Sequence, residues 1–408
     1  MKPKFICFAV LGIFLFLNSA KSVSQEVSYY FAAHQDDWQL FMGSHARADI
    51  STSNSKVVFV TLTAGDSGWG DSGYSVTPYY RARENGSVKS AQFIANIGHG
   101  YVQLNKSTRI VNGHKILVYT YRNAVCYFLR LPGGNQDGSG FAGVDSSASL
   151  EKLRTGAITH ITAVEHSTTY TSWNDFTNTL NAIIKFERGA DTQVWINIPS
   201  TDRNYNPGDH SDHYNTGYAA ANAVSSLPWV GIVTWMDYYS NQMPPNLTTS
   251  QIEDAAAMHA CDVVGMTEGG YWSNWNPDHL SWIDKDYFKI YRYPTSATNL
   301  TAEATFNEKS TTANNSTVND TTILNVYPNP VNRNARKIEA EVNVKQPCTM
   351  KFFLVSSSGV PIMDMVEKSI TRKAKITIPF KSDVSAGIYY LTIITDNNVK
   401  VTRKILIE

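Results

Sequence analysis

Phe31-Ala32-Ala33-His34-Gln35-Asp36-Asp37-Trp38 is the stretch around which the chain is organised. A short apolar run, Val27 to Ala33, ends abruptly in one imidazole and two adjacent carboxylates. Open α/β sheets bind ligands at the carboxyl ends of their strands, so this layout predicts a metal site at the end of the first strand. If a helix starts here, His34 and Asp37 lie on one face and can bind one ion, while Asp36 stays free for proton transfer.

Two further polar clusters follow other predicted strands. His210-Ser211-Asp212-His213 lies far down the chain and offers a third ligand. Two imidazole nitrogens and one carboxylate, with water in the fourth position, suit a catalytic zinc ion. Asp66, with its neighbouring glycines, ends the strand predicted at Lys56–Leu62. In a parallel sheet all three loops lie at the same edge, which favours one shared site over three unrelated ones.

The region from Val27 to about Tyr293 alternates apolar strand runs with helical patterns. This alternation predicts a Rossmann-like α/β domain, with a mostly parallel sheet and helices on both faces. The predicted strands are Val27–Ala33, Lys56–Leu62, Ile116–Tyr121, Ile158–Val164, Val194–Ile198 and Trp229–Trp235. The predicted helices are Arg81–Ile97, Asn215–Val224 and Gln251–Ala260, the last with Ser250 and Glu253 as a capping box.

The sequence divides into four segments. Residues 1–24 read as a secretory signal peptide, because their apolar run is too short for the alternative of a membrane anchor. Residues 25–300 are the α/β domain. Residues 301–322 are rich in Thr, Asn and Ser and predict a linker. Residues 323–408 carry short alternating strands separated by turns, which predicts a small all-β sandwich.

Composition excludes some classes of function and leaves the cysteines open. The chain has 35 Lys+Arg and 35 Asp+Glu, so nothing argues for nucleic acid or an anionic membrane as a partner. Without the signal peptide the cysteines are Cys126, Cys261 and Cys348, and the absence of Cys-x-x-Cys excludes a cysteine zinc site. Cys126 and Cys261 could form a disulfide, or both could be buried free thiols.

Four short blocks carry a resemblance to a known family. Ala33–Asp37 resembles the Ala-His-Pro-Asp-Asp-Glu signature of the PIG-L (LmbE-like) de-N-acetylases. Thr61–Gly68 resembles the second block of that family, Arg81–Glu84 its Arg-x-x-Glu helix start, and His210–His213 its His-Pro-Asp-His block. The blocks occur in the family's order and together cover about residues 27–230.

The resemblance implies a metal site and a proton acceptor. Zinc, or another divalent metal, would be held by His34, Asp37 and His213, with Asp36 as general base. These roles also suit amide hydrolysis on chemical grounds. Zinc acidifies bound water and polarises a carbonyl, and Asp36 can take a proton from the water and deliver it to the leaving nitrogen.

Five further residues complete the expected site. His210, oriented by Asp212 and protonated, would stabilise the oxyanion. Arg81, Asp66 and Trp38 would bind the substrate, with Trp38 stacked on a sugar ring or, alternatively, packed behind the site.

The first block departs from the family motif twice. Gln35 replaces the proline and Trp38 replaces the final glutamate. The loss of glutamate removes a residue that could support a metal ligand. These departures motivate the alternative of a non-catalytic carbohydrate-binding protein on the same fold.

The tail is similar to a second family. Leu324–Val331, Gly387–Tyr390 and Lys400–Glu408 resemble the type A C-terminal sorting domain of type IX secretion. The resemblance implies transport across the outer membrane and a secreted or cell-surface protein that contacts the secretion machinery. The alternative for this segment is a sugar-binding β-sandwich.

We therefore expect a secreted zinc-dependent hydrolase that removes the N-acetyl group from an N-acetylated amino sugar or glycan. The alternatives are the non-catalytic carbohydrate-binding protein and a metal-dependent hydrolase of another amide or ester.

Overall fold

The computed structural model describes residues 26–52, 55–189, 194–292 and, with short gaps, 321–407. The predicted signal peptide and nearly all of the predicted linker lie outside these residues. Thr321 and Thr322, the last two residues of that linker, already belong to a strand. Within the described ranges, no helix combines the length and the apolar character that spanning a bilayer requires.

The α/β domain is built on one large sheet with a two-stranded ribbon beside it. Its strands are β1 (Glu26–Ala32), β2 (Ser55–Thr63), β3 (Asn105–Val111), β4 (His114–Tyr121), β5 (Ala124–Leu131), β6 (Ile161–Thr162), β7 (Thr169–Tyr170), β8 (Val194–Pro199), β9 (Val230–Trp235) and β10 (Phe288–Arg292). Its helices are α1 (Asp37–Phe41), α2 (Gly43–Ser51), α3 (Tyr79–Asn96), α4 (Leu150–Thr155), α5 (Trp173–Arg188), α6 (Ser211–Ala223), α7 (Thr249–Glu268) and α8 (Pro277–Leu280).

The large sheet has the strand order β10-β9-β8-β1-β2-β5-β4-β3. Strands β9, β8, β1, β2 and β5 run parallel to one another. Antiparallel strands flank this group on both sides. The chain leaves β1 toward β2 and returns later to the other side of β1 with β8. The strand order therefore reverses between β1 and β8, the position at which open α/β sheets bind ligands.

Helices cover both faces of the sheet. Helices α4, α5 and α6 pack on one face over a largely aliphatic core, and α1, α2, α3 and α7 pack on the other over a more aromatic one. Strand β2 is buried along almost its whole length, as its run of β-branched residues predicts. The predicted α/β class, with a mostly parallel sheet and helices on both faces, is confirmed.

The strand predicted at Ile158–Val164 is wrong. Only Ile161–Thr162 joins a ladder, and that ladder is the small ribbon with β7 rather than the large sheet. The backbone N–H of Val164 instead donates to the carbonyl of Arg130 in a neighbouring loop. Ile161 packs into the aliphatic core and Val164 into a small cluster with Tyr80, so their hydrophobicity reflects burial outside the large sheet rather than a sheet strand.

Helix α7 begins two residues before the predicted position. The side chain of Thr248, not Ser250, caps the helix by accepting from the backbone N–H of Gln251, and the side chain of Gln251 accepts from the N–H of Thr248 at 3.0 Å. Thr248 with Gln251 and Ser250 with Glu253 both fit the capping-box pattern, so the pattern alone does not fix the register.

The C-terminal region is all-β. Its strands are β11 (Thr321–Tyr327), β12 (Lys337–Val344), β13 (Cys348–Ser356), β14 (Val366–Ile370), β15 (Lys373–Pro379), β16 (Gly387–Thr395) and β17 (Lys400–Ile407). They form two antiparallel sheets, of orders β11-β12-β15 and β14-β13-β16-β17, around one hydrophobic cluster. This arrangement confirms the small β domain after the α/β domain.

The cysteine question is resolved for the described residues. Cys126 is buried in β5, Cys261 lies on α7, and both are free thiols. Cys126 and Cys261 therefore do not form the disulfide that the sequence left open as an alternative.

Helices α3 and α7 approach each other closely because glycines face each other at their crossing. A Cβ atom on Gly265 would overlap the backbone of Gly86, and a Cβ atom on Gly86 would overlap Asp262. Backbone atoms cannot move aside as a flexible side chain can. This crossing therefore requires glycine on both helices.

We expect Gly265→Ala to lower the free energy of unfolding by about 2 kcal/mol, because overpacking at the backbone outweighs the roughly 1 kcal/mol that alanine gains in a helix. Urea unfolding followed by tryptophan fluorescence measures this, since all 9 tryptophans lie in the α/β domain. The control is Gly100→Ala, where a Cβ meets nothing within 4 Å. Equal stability of the two variants would contradict the prediction.

Candidate metal centre and active-site cavity

A cavity of about 200 Å³ opens at the carboxyl ends of β1, β8 and β9, beside the reversal of strand order. The segments that follow β1 and β2, the start of α6 and helix α8 contribute its walls. The polar side chains that line it are His34, Asp36, Asp37, Ser67, Arg83, Asn135, His210, Asp212, Tyr238 and His279.

His34, Asp37 and His213 meet at the base of this cavity. Nδ1 of His34 lies 3.2 Å from Nε2 of His213 and 3.4 Å from Oδ1 of Asp37, and His213 Nε2 lies 3.3 Å from the same oxygen. Metal bonds of about 2.0 Å in a tetrahedron place neighbouring ligands about 3.3 Å apart. These three atoms therefore have the spacing of three corners of such a tetrahedron.

Both histidines are held from behind by a carboxylate. Nδ1 of His213 lies 2.8 Å from Asp209 Oδ1, and Nε2 of His34 lies 3.3 Å from Asp212 Oδ2. A carboxylate can only accept, so each of these nitrogens carries the ring proton. In the neutral rings, the nitrogens that face each other across the site are left with free electron pairs. Asp37 is fixed as well, because its Oδ2 accepts the backbone N–H of His34 at 2.7 Å.

The electrostatics of the three residues favour a positive charge between them. Burial opposes protonation of His34, but Asp37 and Asp212 outweigh it and raise its pKa to about 9. Burial likewise opposes protonation of His213, yet Asp209 and Asp37 raise its pKa well above the usual value. Because a metal ion competes with protons for the same electron pairs, this centre could hold a divalent cation.

Other combinations of ligands in the same cluster are less well arranged. His34, His210 and Asp212 form a second group, but Nδ1 of His210 already accepts the backbone N–H of Asp212 at 3.1 Å. Asp209, His213 and Asp237 form a third, in which Nδ1 of His213 already donates to Asp209. The first group is the one whose ligand atoms have no competing partner.

Asp36 lies beside this centre between two basic side chains. It forms an ion pair with the buried guanidinium of Arg83, and its Oδ2 lies 3.6 Å from Nε2 of His279. Although burial opposes ionisation, Arg83 outweighs it and holds the pKa of Asp36 far below its usual value. Asp36 is therefore a fixed carboxylate that faces the cavity.

His210 is neutral rather than protonated as expected. It caps α6, and its Nδ1 accepts from the backbone N–H of Asp212, so the ring proton is on Nε2. Burial and the nearby charge of His34 lower the pKa of His210 to about 3. The Asp212 carboxylate does not orient His210, from which it is 3.8 Å away; it accepts from His34 and from the backbone of Gly134 instead.

Arg81 does not line the cavity, and Arg83 does. The Arg81 guanidinium donates to the hydroxyl of Tyr80 at 2.8 Å and is about half exposed beside Asp71. Consecutive helix residues are about 100° apart, so positions 81 and 83 point in nearly opposite directions. The expected substrate role of Arg81 is therefore corrected in favour of Arg83.

Trp38 and Asp66 are also too deeply buried to touch a substrate. Trp38 packs on Phe59 with ring centroids 4.1 Å apart and donates to Ser87. Trp38 therefore packs behind the site and does not stack on a sugar ring, which was the other alternative. Asp66 accepts the backbone N–H groups of Gly133 at 2.8 Å and Gly70 at 2.9 Å, and so ties two loops together.

Asp209, Arg83 and His279 are site residues that sequence reasoning missed. Asp209 sits one residue before the His210 cluster and Arg83 two residues after Arg81, so both lie inside or beside motifs already identified. Nothing in the local sequence distinguishes His279, which lines the cavity although it lies near the C-terminal end of the domain sequence.

Comparison with known proteins identifies the C-terminal region. Residues 325–408 match the family model described as the secretion system C-terminal sorting domain. The predicted type IX sorting domain is confirmed, and with it a secreted or cell-surface protein that contacts the secretion machinery. No curated protein matches the chain.

Among solved structures, the chain is similar to GalB, the 4-carboxy-2-hydroxymuconate hydratase from Pseudomonas putida KT2440. The TM-score is 0.36 and the identity 12%, over 63% of this chain and 82% of that one.

A buried ion pair holds the loop behind the cavity. Arg130, at the end of β5, donates from Nε and Nη2 to the two carboxylate oxygens of Glu84 on α3, at 2.6 Å and 2.7 Å. The loop that follows Arg130 supplies the backbone N–H groups of Gly133 and Gly134 to Asp66 and Asp212.

We expect Glu84→Gln to cost about 1–3 kcal/mol of stability, because it removes the nearer of the two carboxylates that pair with the buried guanidinium of Arg130 and leaves only Glu165, at 3.3 Å. The double variant Glu84→Gln/Arg130→Met should recover part of this loss. Tryptophan fluorescence during urea unfolding measures both. The matched control is Glu268→Gln, which breaks the exposed pair with Lys89 and should cost less than about 1 kcal/mol. Similar losses at positions 84 and 268 would refute the assignment.

Proposed function

We propose that the protein is a secreted zinc-dependent hydrolase that removes the N-acetyl group from an N-acetylated amino sugar or glycan. One observation carries the proposal. His34 Nδ1, His213 Nε2 and Asp37 Oδ1 lie 3.2–3.4 Å apart with their electron pairs facing one another, beside the ionised Asp36. The sugar is implied by the PIG-L resemblance rather than by the cavity.

The residues present fit a zinc site. His34, Asp37 and His213 would hold the ion, and Asp212 and Asp209 would fix the two rings from behind. Bound there, zinc supplies Lewis acidity: it lowers the pKa of water to about 7 and polarises the carbonyl of the substrate.

Asp36 is suited to accept a proton from the attacking water. Arg83 holds it at the cavity wall, and because the same pair lowers the pKa of Asp36 and weakens it as a base, the water that gives up the proton would need to be acidified by a bound metal ion. The same carboxyl can then deliver the proton to the nitrogen of the leaving amine.

His210 is suited to stabilise the developing oxyanion as a neutral donor. Its Nδ1 is engaged by the backbone of Asp212, which leaves the Nε2 proton for the substrate. A donor fixed in this way needs no reorganisation as charge develops, and such donors contribute about 3–4 kcal/mol to catalysis.

The alternative of a non-catalytic carbohydrate-binding protein rests on Gln35 and Trp38. Neither residue lines the cavity. Gln35 donates to the carbonyl of Ala64 at 2.7 Å, and Trp38 belongs to the core. The support that the missing glutamate would give to a ligand comes here from Asp209 and Asp212. A metal-dependent hydrolase of another amide or ester remains the second alternative, and activity on non-sugar substrates would reveal it.

The zinc-loaded protein should release acetate from N-acetylated oligosaccharides, and Asp36→Asn should lower this rate about 10²–10⁴-fold because the proton acceptor is lost. Acetate is measured enzymatically, and zinc content is measured by mass spectrometry. The zinc content of Asp36→Asn should equal that of the unmodified protein. The control is Asp278→Asn, an exposed carboxylate next to His279 that should retain activity. Full activity of Asp36→Asn would remove Asp36 from the mechanism, and zinc binding without acetate release from any glycan would refute the deacetylase.

Asp209→Asn should weaken zinc binding about 10–100-fold, because the amide holds the ring of His213 less firmly and makes its Nε2 less basic. Competition with a fluorescent chelator measures the affinity. The control Glu253→Gln changes an exposed carboxylate on α7 and should bind zinc as the unmodified chain does. An unchanged affinity of Asp209→Asn would contradict the assigned ligand set.

A further inference from the structure

Four large aromatic side chains are exposed on two loops beside the cavity. Their exposed fractions are 44% for Trp69, 57% for Tyr74, 88% for Trp272 and 46% for Trp275. Single exposed apolar residues are common on proteins, but a contiguous group of large ones marks a binding surface. We call these four residues the aromatic platform.

Contacts between the two loops hold the platform in place. The ring of Tyr74 lies 6.1 Å from that of Trp69 and 4.5 Å from that of Tyr271. The Tyr74 hydroxyl accepts the backbone N–H of Trp272 at 2.9 Å, and the Tyr271 hydroxyl donates to the carbonyl of Thr77 at 2.6 Å. The loop after β2 and the loop after α7 therefore form one surface, so the rings are presented in fixed positions.

The platform is continuous with the cavity at both of its ends. Trp69 comes two residues after Ser67, which lines the cavity. Trp275 stacks on the buried His259 with ring planes 18° apart, and His259 stacks in turn on His279, another lining residue. The platform therefore adjoins two of the segments that line the cavity.

We propose that the aromatic platform binds the sugar residues that flank the reacting sugar in a glycan chain, so that the substrate is a polymer rather than a free sugar. This inference rests on the proposed function. Tyr and Trp rings offer a rigid apolar face, on which the C–H face of a sugar can stack, together with a polar edge.

The size of the cavity supports a chain that continues outside it. About 200 Å³ leaves room for roughly one sugar ring at the reacting position. Neighbouring sugars of a chain must then lie outside the cavity, and the platform offers exposed rings on two loops that adjoin it. A free monosaccharide would use the cavity and leave all four rings unused.

The test compares Trp69→Ala/Trp272→Ala with a control pair, Tyr101→Ala/Phe186→Ala, whose rings are 73% and 59% exposed elsewhere on the domain. Calorimetry measures binding of the full chain to monomers and hexamers of N-acetylglucosamine and N-acetylgalactosamine. We expect one hexamer to bind more tightly than its monomer, the platform variant to lose about tenfold or more of that affinity, and the control pair to lose none.

Acetate release keeps this inference separate from the proposed function. With the hexamer, the platform variant should show a higher KM, while its activity on the monomer stays that of the unmodified chain. If the platform variant and the unmodified chain both release acetate with the same KM for the hexamer, the platform does not bind the glycan and the deacetylase proposal stands. Platform-dependent hexamer binding without acetate release would uphold the platform and overturn the deacetylase. A platform used for protein docking would leave hexamer binding unchanged in the variant, which also overturns the inference.

Discussion

Three electron-pair donors that lie 3.2–3.4 Å apart in a buried site repel one another unless a proton or a bound cation lies between them, and this constraint organises the centre of the α/β domain. Asp209 and Asp212 fix the ring protons on the outer sides of His213 and His34, so the inner nitrogens cannot supply that proton in their neutral forms. Asp36, Asp37, Asp209 and Asp212 each pair with a basic side chain, whereas both carboxylate oxygens of the buried Asp237 lack a hydrogen-bond partner. Such a concentration of buried charge is typical of functional sites.

Much of this site could be predicted because strand ends in a parallel sheet converge whatever the details of packing. Strand assignments therefore brought His34 and Asp37 together with the His210–His213 cluster, and the PIG-L resemblance singled out His213 as the third ligand. The residues that were missed depend on details that no strand pattern contains. Arg81 and Arg83 differ only in helical phase, and the phase is set by the position at which α3 begins. His279 reaches the cavity only because α7 packs against α3 and returns the chain to this edge.

In the fold, too, some elements follow from the sequence pattern and others depend on tertiary packing. Strand β2 and the C-terminal strands follow directly from β-branched runs and alternation. The hairpin of β3 and β4 has an Asn112-Gly113 turn with positive φ at both residues, a strong local signal that sequence analysis passed over. Helix α5 also had its signal, because Ser172 caps it and its buried residues recur at helical spacing. Ile158–Val164, by contrast, is apolar because it packs against the core from outside the large sheet, and no sequence period separates that case from a strand.

His34 and His213 are 179 residues apart in the chain, yet their ring nitrogens are neighbours. An ion bound by both would act as a removable cross-link that closes a very long loop, and the entropy of loop closure grows only with the logarithm of loop length. Such a cross-link exists only in the folded chain, so by mass action its contribution to resistance against unfolding rises with the logarithm of the free ion concentration. For an exported protein, durability would then be set in part by the metal content of its surroundings.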